Sequence, residues 1–409
     1  MESKLPPERE ISLSQALARI DAQLAALSLK VEERQLGAAI GSVLVKLEAS
    51  TGCTARGSGK GTLAEATVGA RFEALEHYLD EHQHRHWVIR DSTELAADLH
   101  LKDDFLQPWL LEQPDTRLAC QRYLTADGRP LFDYPLGVTR PDYAKASLPG
   151  DTFNYDGLRR YSGNDGSAIG ASRDEAVLHA LNQLIERDAL SLFMLRHFYF
   201  QRPDTLHRVS KPADETDLSM LWEQAERQLG ASIAVLDISS EFASRTYLAW
   251  CPHSPHGLHE GLTGSGAALD PRHGVRRAIS ELVQMCLNAK VPAAALELRE
   301  AELQLRSWPG LHRCLQLQLT PLLETTVTEV VLPTPMAREP VAEQVQAVLQ
   351  DLHQHGRVAG ICEVFRGDQG ISFVNVVVPG LERFHLVSSG NVVLPHARGM
   401  QLAPVKGSA

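Results

Sequence analysis

The sequence predicts a mixed α/β fold, and three features carry that expectation. Short runs rich in Val, Ile and aromatic residues alternate with longer segments of helical apolar spacing. Turns containing glycine and proline separate them. The composition, 44% hydrophobic and 22% charged over 409 residues, is that of a globular chain able to bury one large core or two to three smaller ones.

In chain order, Ser14 to Ser28 (SQALARIDAQLAALS) carries apolar residues at helical spacing behind a serine-bearing cap region and reads as an amphipathic helix. AIGSVLVKLEA and HWVIRD read as strands. From about Pro130 to Ser167 the chain is rich in Gly, Pro, Asp and Tyr, which reads as long loops of the kind that carry binding residues. SIAVLDIS, TYLAWCP, RVAGICEVF and ISFVNVVVPG are further strands, with helices between them.

The stretch RGSGKGTLAEATVGARFEALEHYL, Arg56 to Leu79, invites comparison with a phosphate loop. Such a loop needs G-x-x-x-x-G-K-[ST], so that backbone amides wrap the phosphates, the lysine reaches them and the next hydroxyl holds magnesium. Here Thr54 stands at the first glycine and Gly61 stands at the hydroxyl. Two of four fixed positions fail, so the segment reads as a glycine-rich turn before a helix, and any nucleotide is held in another way.

A formal charge of −11 argues against broad electrostatic attachment to nucleic acid or to an anionic membrane. The N-terminus leads into PPERE without an apolar stretch, and nowhere do eighteen apolar residues follow one another. A cytoplasmic, soluble protein is expected. The six cysteines are scattered without a C-x-x-C pair and read as small buried hydrophobes.

One internal regularity stands out. Three helical segments share a small residue followed at +3 and +6 by a carboxylate or amide: Ala70, Glu73, Glu76; Ala180, Gln183, Glu186; and Ala278, Glu281, Gln284. Glu65-Ala66 and Glu175-Ala176 stand eight positions before Glu73 and Gln183. At about 100° per residue, positions 0, +8 and +11 share one helix face. Glu65, Glu73 and Glu76 form one such stripe; Glu175, His179, Gln183 and Glu186 form another. Val177, Leu181, Leu184, Ile185 and Leu192 flank the second stripe with enough apolar surface to put it at the core boundary. Carboxylates placed there must be protonated, paired or metal-bound. Clusters of Glu suit magnesium, above all when phosphates complete its shell.

Two histidine-rich segments compete as metal sites. HQHRHW, His82 to Trp87, lacks a partner at fixed spacing and reads as solvated surface; CPHSPHGLHEG, Cys251 to Gly261, reads as a loop near substrate. His179 reads first as a satisfied histidine at the core edge, with a catalytic role as the alternative.

GKGTLAEATVGARFEALEHY, GNDGSAIGASRDEAVLHALNQLIERDAL and GSGAALDPRHGVRRAISELVQ, in this order, resemble the three characteristic blocks of YcaO-domain proteins, and VVVPGLERF resembles the strand and turn near their C-terminus. The resemblance implies one YcaO domain over residues 1–400 with a tail at 401–409, its mixed sheets and acidic helices (about 62–80, 172–195 and 271–289) surrounding an ATP and Mg2+ site without a P-loop. It implies ATP-dependent activation of backbone amides in a ribosomally made precursor peptide. Cyclodehydration of Cys, Ser or Thr to azolines is the first reading; thioamide or amidine formation is the alternative within the class.

By position, the resemblance makes Glu73, Glu76, Glu175 and Glu186 magnesium ligands, and Arg187 and Arg277 phosphate contacts. Arg9, Lys60 and Gln183 join Arg187 and Arg277 on the nucleotide, and Glu186, Arg187 and Arg277 carry catalysis. It also implies a homo- or hetero-oligomer with a separate leader-peptide-binding partner, resembling a ubiquitin-activating enzyme, since the blocks leave no room for an added domain.

Departures from the family pattern are Gly69 for serine, His77 for arginine, Gln183 for glutamate, Ala16 at a position that often bears a hydroxyl, and a C-terminus without P-x-P-x-P. They motivate the rival expectation of a degenerate, non-catalytic scaffold.

Overall fold

The structure is a computed structural model that describes residues 5–202, 204–213, 216–252, 262–324, 327–334 and 337–404. Among them fourteen strands run in chain order: β1 (Lys30–Gly37), β2 (Gly41–Glu48), β3 (Thr54–Gly61), β4 (Val88–Asp91), β5 (Arg117–Leu124), β6 (Pro130–Pro135), β7 (Ser167–Gly170), β8 (Leu206–Val209), β9 (Ala234–Asp237), β10 (Arg245–Trp250), β11 (Thr263–Ala268), β12 (Val327–Val330), β13 (Gly360–Arg366) and β14 (Ser372–Val377). They form three sheets. The first is β1-β2-β3, the second β4-β5-β13-β14-β7 with β6 on β5, and the third β11-β10-β9-β8-β12. Pairing is antiparallel except between β8 and β12.

The class is the mixed α/β that the sequence predicts. The seven strand- or helix-like segments read from apolar pattern contain β2, β4, β9, β10, β13, β14 and the N-terminal helix Leu13–Ala26, which Ser12 caps in a capping box with Gln15. Two expectations are corrected. The stretch from 130 to 167 is not loop throughout: it holds β6 and short helical turns such as Leu136–Thr139, because Phe132 and Tyr134 are buried on alternate positions against β5. The glycine-rich stretch ahead of the first acidic helix is not a turn but a full strand, β3, paired along its whole length with β2.

The reason for those glycines is packing. Cβ atoms built on Gly57 and Gly59 would lie 2.2 Å from Ala74 N and 1.8 Å from Ala66 O, so β3 touches the backbone of the helix that follows it. Gly264 and Gly266 of β11 meet Leu282 N and Gly274 O at 2.1 and 2.5 Å in the same way. The small residues Ala66, Ala70, Ala74 and Ala278 are the other half of this contact, and all are fully buried.

Each sheet thereby carries one acidic helix. The first, Leu63–His82, leaves β3 through a Thr62–Glu65 capping box. The second, Arg173–Met194, leaves β7 with Ser172 as cap, and the third, Pro271–Asn288, leaves β11 with Asp270 as cap and proline at its first position. Separate apolar clusters hold each helix on its sheet: Val43, Val45 and Leu75 under the first, Val177, Leu181 and Val374 under the second, and Val235, Val275 and Leu282 under the third.

Candidate functional site

The three helices direct their acidic faces toward one another. Lys60, at the end of β3, ion-pairs with Glu281 of the third helix. Ser265 of β11 donates its hydroxyl to Glu186 of the second helix at 2.6 Å, and Ala267 N–H donates to the same carboxylate at 3.1 Å. Ser265 N–H also lies 3.4 Å from Glu281 Oε1. Glu73 of the first helix faces the charges of Lys60 and Glu281, while Glu76, one turn on, accepts from Ile169 N–H of β7 at 3.0 Å. Residues from all three sheets therefore meet at one acidic centre.

The electrostatics show that the centre holds more negative charge than it compensates. Burial, then the charges of Glu73 and Asp80, pushes the Glu76 carboxyl well above the usual carboxylate range. Burial likewise raises Glu73, against the nearby His77, the Ser58 N–H and Lys60. Burial also opposes ionisation of Glu281, but Lys60 and then Arg187 outweigh it and hold Glu281 below the ordinary value.

Glu175 and Glu65 lie elsewhere. Eleven residues separate Glu175 from Glu186, roughly 16 Å along a helix axis, so a shared face does not bring the two together. Glu175 accepts from Glu10 N–H at 2.6 Å and Ala171 N–H at 3.2 Å, pinning the N-terminal segment to the second helix. Glu65 pairs with Arg276 at 2.9 Å.

A cluster of charged side chains adjoins this segment. Arg277 approaches His179 Nδ1 at 3.3 Å and Glu8 at 3.9 Å; His273 stands 3.6 Å from the same carboxylate, and Asn182 donates to it at 3.0 Å. Burial disfavours a charged Glu8, yet His273 and Arg277 hold its carboxyl down to about 2. Burial, then Arg277 and Arg9, pushes His179 well below the usual histidine range, so it is a neutral, satisfied histidine at the core edge. Arg9 donates to the carbonyl of Glu8. Arg277 Nε, His273 Nδ1 and Glu8 Oε2 are buried without a hydrogen-bond partner. Orphaned donors beside two arginines suit an anion.

Arg187 follows Glu186 on the second helix; the charges of Glu186, Asp165 and Glu281 act on its guanidinium, and its Nε lies 3.9 Å from Asp165 Oδ1. Gln183 is turned away from the acidic centre's ion pairs: its carboxamide oxygen accepts from Gly166 N–H at 2.8 Å.

Sequence reasoning placed Glu281 in the repeat without assigning it a role, and it missed Glu8, Asp165, Ser265 and His273. The Ala278-Glu281-Gln284 spacing was the available signal for Glu281; His273 lies in the first turn of the same helix but off that spacing, and Glu8, Asp165 and Ser265 lie on segments with no helical periodicity. HQHRHW behaves as predicted, with His84 and His86 exposed, although Arg85 between them is buried against Asp80 and Gln121. Residues 253–261 of CPHSPHGLHEG lie outside the described residues. Cys120, Cys251, Cys286 and Cys314 are buried, as expected, whereas Cys53 and Cys362 are only partly buried, against the expectation for all six. No described helix is long and apolar enough to cross a membrane.

Among the described residues no three His, Cys, Asp or Glu side chains already converge tightly enough to hold a metal ion. The chemistry of the donor set nonetheless fits magnesium: Glu76 is a buried and Glu73 a half-buried oxygen donor, and a hard divalent cation would relieve their mutual repulsion.

Over residues 58–382 the chain matches the family described as YcaO cyclodehydratase, ATP- and Mg2+-binding. An uncharacterized protein of Methanothermobacter thermautotrophicus is 27% identical over 224 residues, which is 54% of this chain and 56% of that protein, so the chain aligns with about half the length of that relative. Among solved structures, a heterocyclase in complex with substrate and cofactor superposes with a TM-score of 0.67 at 19% identity, over 92% of this chain and 54% of that one. YcaO from Methanopyrus kandleri bound with AMPPCP and Mg2+ gives 0.66 at 16% identity, over 98% and 97%. The E. coli microcin synthetase McbBCD complex gives 0.59 at 13%, over 87% and 88%. At these identities the structures speak for the fold, while the family match covers most of the sequence: the chain belongs to the YcaO family.

Proposed function

We propose that this chain is an enzyme that uses ATP and Mg2+ to activate backbone amides of a ribosomally made peptide, and that it forms azolines by cyclodehydration. The observation that carries this reading is the acidic centre in which Ser265 donates to Glu186 and approaches Glu281, Lys60 pairs with Glu281, and the charges of Glu73 and Arg187 lie beside that carboxylate. Glu73, Glu76, Glu186 and Glu281 would hold Mg2+, and Glu175 a cation at the other level of the second helix. Bound Mg2+ would supply neutralisation of phosphate charge.

The chain's own residues position and bind. Lys60, Arg187 and Arg277 meet the phosphates, with Arg9 at the edge of the nucleotide; the oxygen of Gln183 is taken by Gly166, so Gln183 acts behind Arg187 and not on the nucleotide. A Cys, Ser or Thr side chain of the peptide adds to the preceding carbonyl carbon. The side chain gives up its S–H or O–H proton as it adds, the former carbonyl oxygen takes the γ-phosphoryl group as ADP leaves, and that oxygen then departs as phosphate while the amide N–H proton is lost and the C=N bond forms. An amide oxygen is a poor leaving group until phosphorylated, so catalysis rests on positioning and charge. The heterocyclase with its substrate and the microcin synthetase complex support a peptide substrate and a partner protein for this chain as well, and we propose an assembly in the cytoplasm with a leader-peptide-binding subunit.

One observation favours a non-catalytic scaffold instead: the oxygen of Gln183, which replaces a carboxylate, is already engaged by Gly166. Mass spectrometry of a precursor peptide with this protein, its partner, ATP and Mg2+, with and without sulfide, decides. Loss of about 18 Da per site supports cyclodehydration, and a gain of about 16 Da only with sulfide supports thioamidation. No shift and no ATP consumption support the scaffold.

A further inference from the structure

We infer that Asp165 is a positioning residue for Arg187, and that Gln183 and Gly166 exist in their present form to place it. This rests on the reading of Arg187 as a phosphate contact.

The turn before β7 is pinned from two sides. Val376 N–H donates to Gly166 O at 2.8 Å, and Gly166 N–H donates to Gln183 Oε1 at 2.8 Å. Gly166 has φ +82°, and a Cβ there would stand 2.0 Å from Val376 O, so no other residue fits between β14 and the second helix. Its neighbour Asp165 is therefore delivered to a fixed point, one turn along the helix from Gln183, beside Arg187.

There the two carboxylate oxygens divide their work. Oδ2 takes His385 Nε2 at 3.2 Å and Arg383 Nη2 at 3.3 Å, leaving Oδ1 toward Arg187 Nε at 3.9 Å. That Nε is buried and has no hydrogen-bond partner. Asp165, Arg187, Arg383 and His385 all line a cavity of about 20 Å³, room for roughly one water.

The physical need for an anion at this place comes from the other carboxylates around Arg187. Glu186 and Glu281 attract the guanidinium toward the acidic centre. An arginine collapsed onto them would neutralise carboxylates that the cation needs and would withdraw from the phosphate. Asp165, with its Oδ1 3.9 Å from Nε, supplies a competing anion that holds the guanidinium against that collapse. The amide at 183 serves the same end: its oxygen anchors the Asp165 turn without adding another negative charge that would draw Arg187 away.

The test is a double-mutant cycle on ATP kinetics with precursor peptide, partner and Mg2+. Asp165→Asn lowers kcat/KM for ATP by about 10- to 100-fold, with KM for the peptide unchanged. In an Arg187→Lys background the same change costs less than about twofold, because the group being positioned is gone. Gln183→Ala, which leaves the buried ions intact, follows the same pattern on a smaller scale and serves if Asp165→Asn folds poorly. Additive losses in the two backgrounds, or a wild-type kcat/KM in Asp165→Asn, overturn the positioning role while leaving the proposed function standing. A wild-type protein that neither binds nor consumes ATP overturns that function, and this inference with it.

Discussion

Gly59→Ala and Gly69→Ala, ten residues apart, should have opposite effects on stability. At Gly59 a methyl group would lie 1.8 Å from Ala66 O, 2.6 Å from Ala70 N and 2.7 Å from Ala66 C. All three are backbone atoms, so no side chain can rotate aside; the helix must retreat from β3 by more than about 1 Å against a close-packed core. Overpacking costs about 1–3 kcal/mol when side chains yield, so we expect about 3 kcal/mol or more here. For a chain of this length that corresponds to a fall in Tm of about 3–4 °C or more. At Gly69, on the exposed face of the same helix, the nearest neighbour of the new methyl is Gly59 Cα at 3.6 Å, an ordinary contact. There alanine should stabilise by about 0.5–1 kcal/mol through helix propensity. Parallel thermal and urea denaturation of both variants provides the measurement. A Gly59→Ala protein as stable as wild type would refute the claim that the glycines of β3 serve helix packing, and would revive a reading in which they approach a ligand.

Three further outcomes are expected. Arg398 clamps Asp188, whose side chain is fully buried, at 2.7 and 2.9 Å and also bonds Glu241, so Arg398→Met should cost about 3–5 kcal/mol in urea unfolding by leaving a buried carboxylate uncompensated; a loss under about 1 kcal/mol contradicts this. Burial, then Arg196, holds the His197 imidazole down to about 4 against an ordinary value of 6.5, so the unfolded chain binds the extra proton between those values and stability falls as pH drops through that window. His197→Gln should flatten the decline of the unfolding free energy from pH 6.5 to 4, measured by urea denaturation, by about 1–2 kcal/mol after allowance for partial solvent screening, and an unchanged slope counts against it. Glu186→Gln should weaken Mg2+-dependent binding of a fluorescent ATP analogue by about tenfold or more while leaving the circular dichroism spectrum intact; unaltered binding sinks the assignment of Glu186 as a ligand.

The helical repeat was legible in the sequence because period 3.6 and the caps at Thr62, Ser172 and Asp270 are local properties. Strands with a strong apolar run, such as β2 and β14, were legible for the same reason. β3 was not: TARGSGKG has no apolar face, and it is a strand because β2 pairs with it and a helix backbone needs room above it. In the site, Glu73, Glu76 and Glu186 were readable from spacing. Glu8, Asp165 and Ser265 were not, because single residues on turns, termini and strand ends carry no pattern.

By itself the sequence determined the fold class, the three acidic helices and the failure of the P-loop, which follow from residue type at fixed spacing along one chain, and it carried the family through the resemblance of its blocks to YcaO-domain proteins. Only the tertiary structure decided which carboxylates share a site. A helix face extends indefinitely along its axis, so Glu175 and Glu186 look equivalent in one dimension, yet 11 residues of rise place one against Glu10 and the other against Ser265. Likewise the pairing of Lys60 with Glu281 spans 221 residues of sequence and exists because the first and third sheets bring their helices together, a packing outcome that no local pattern encodes.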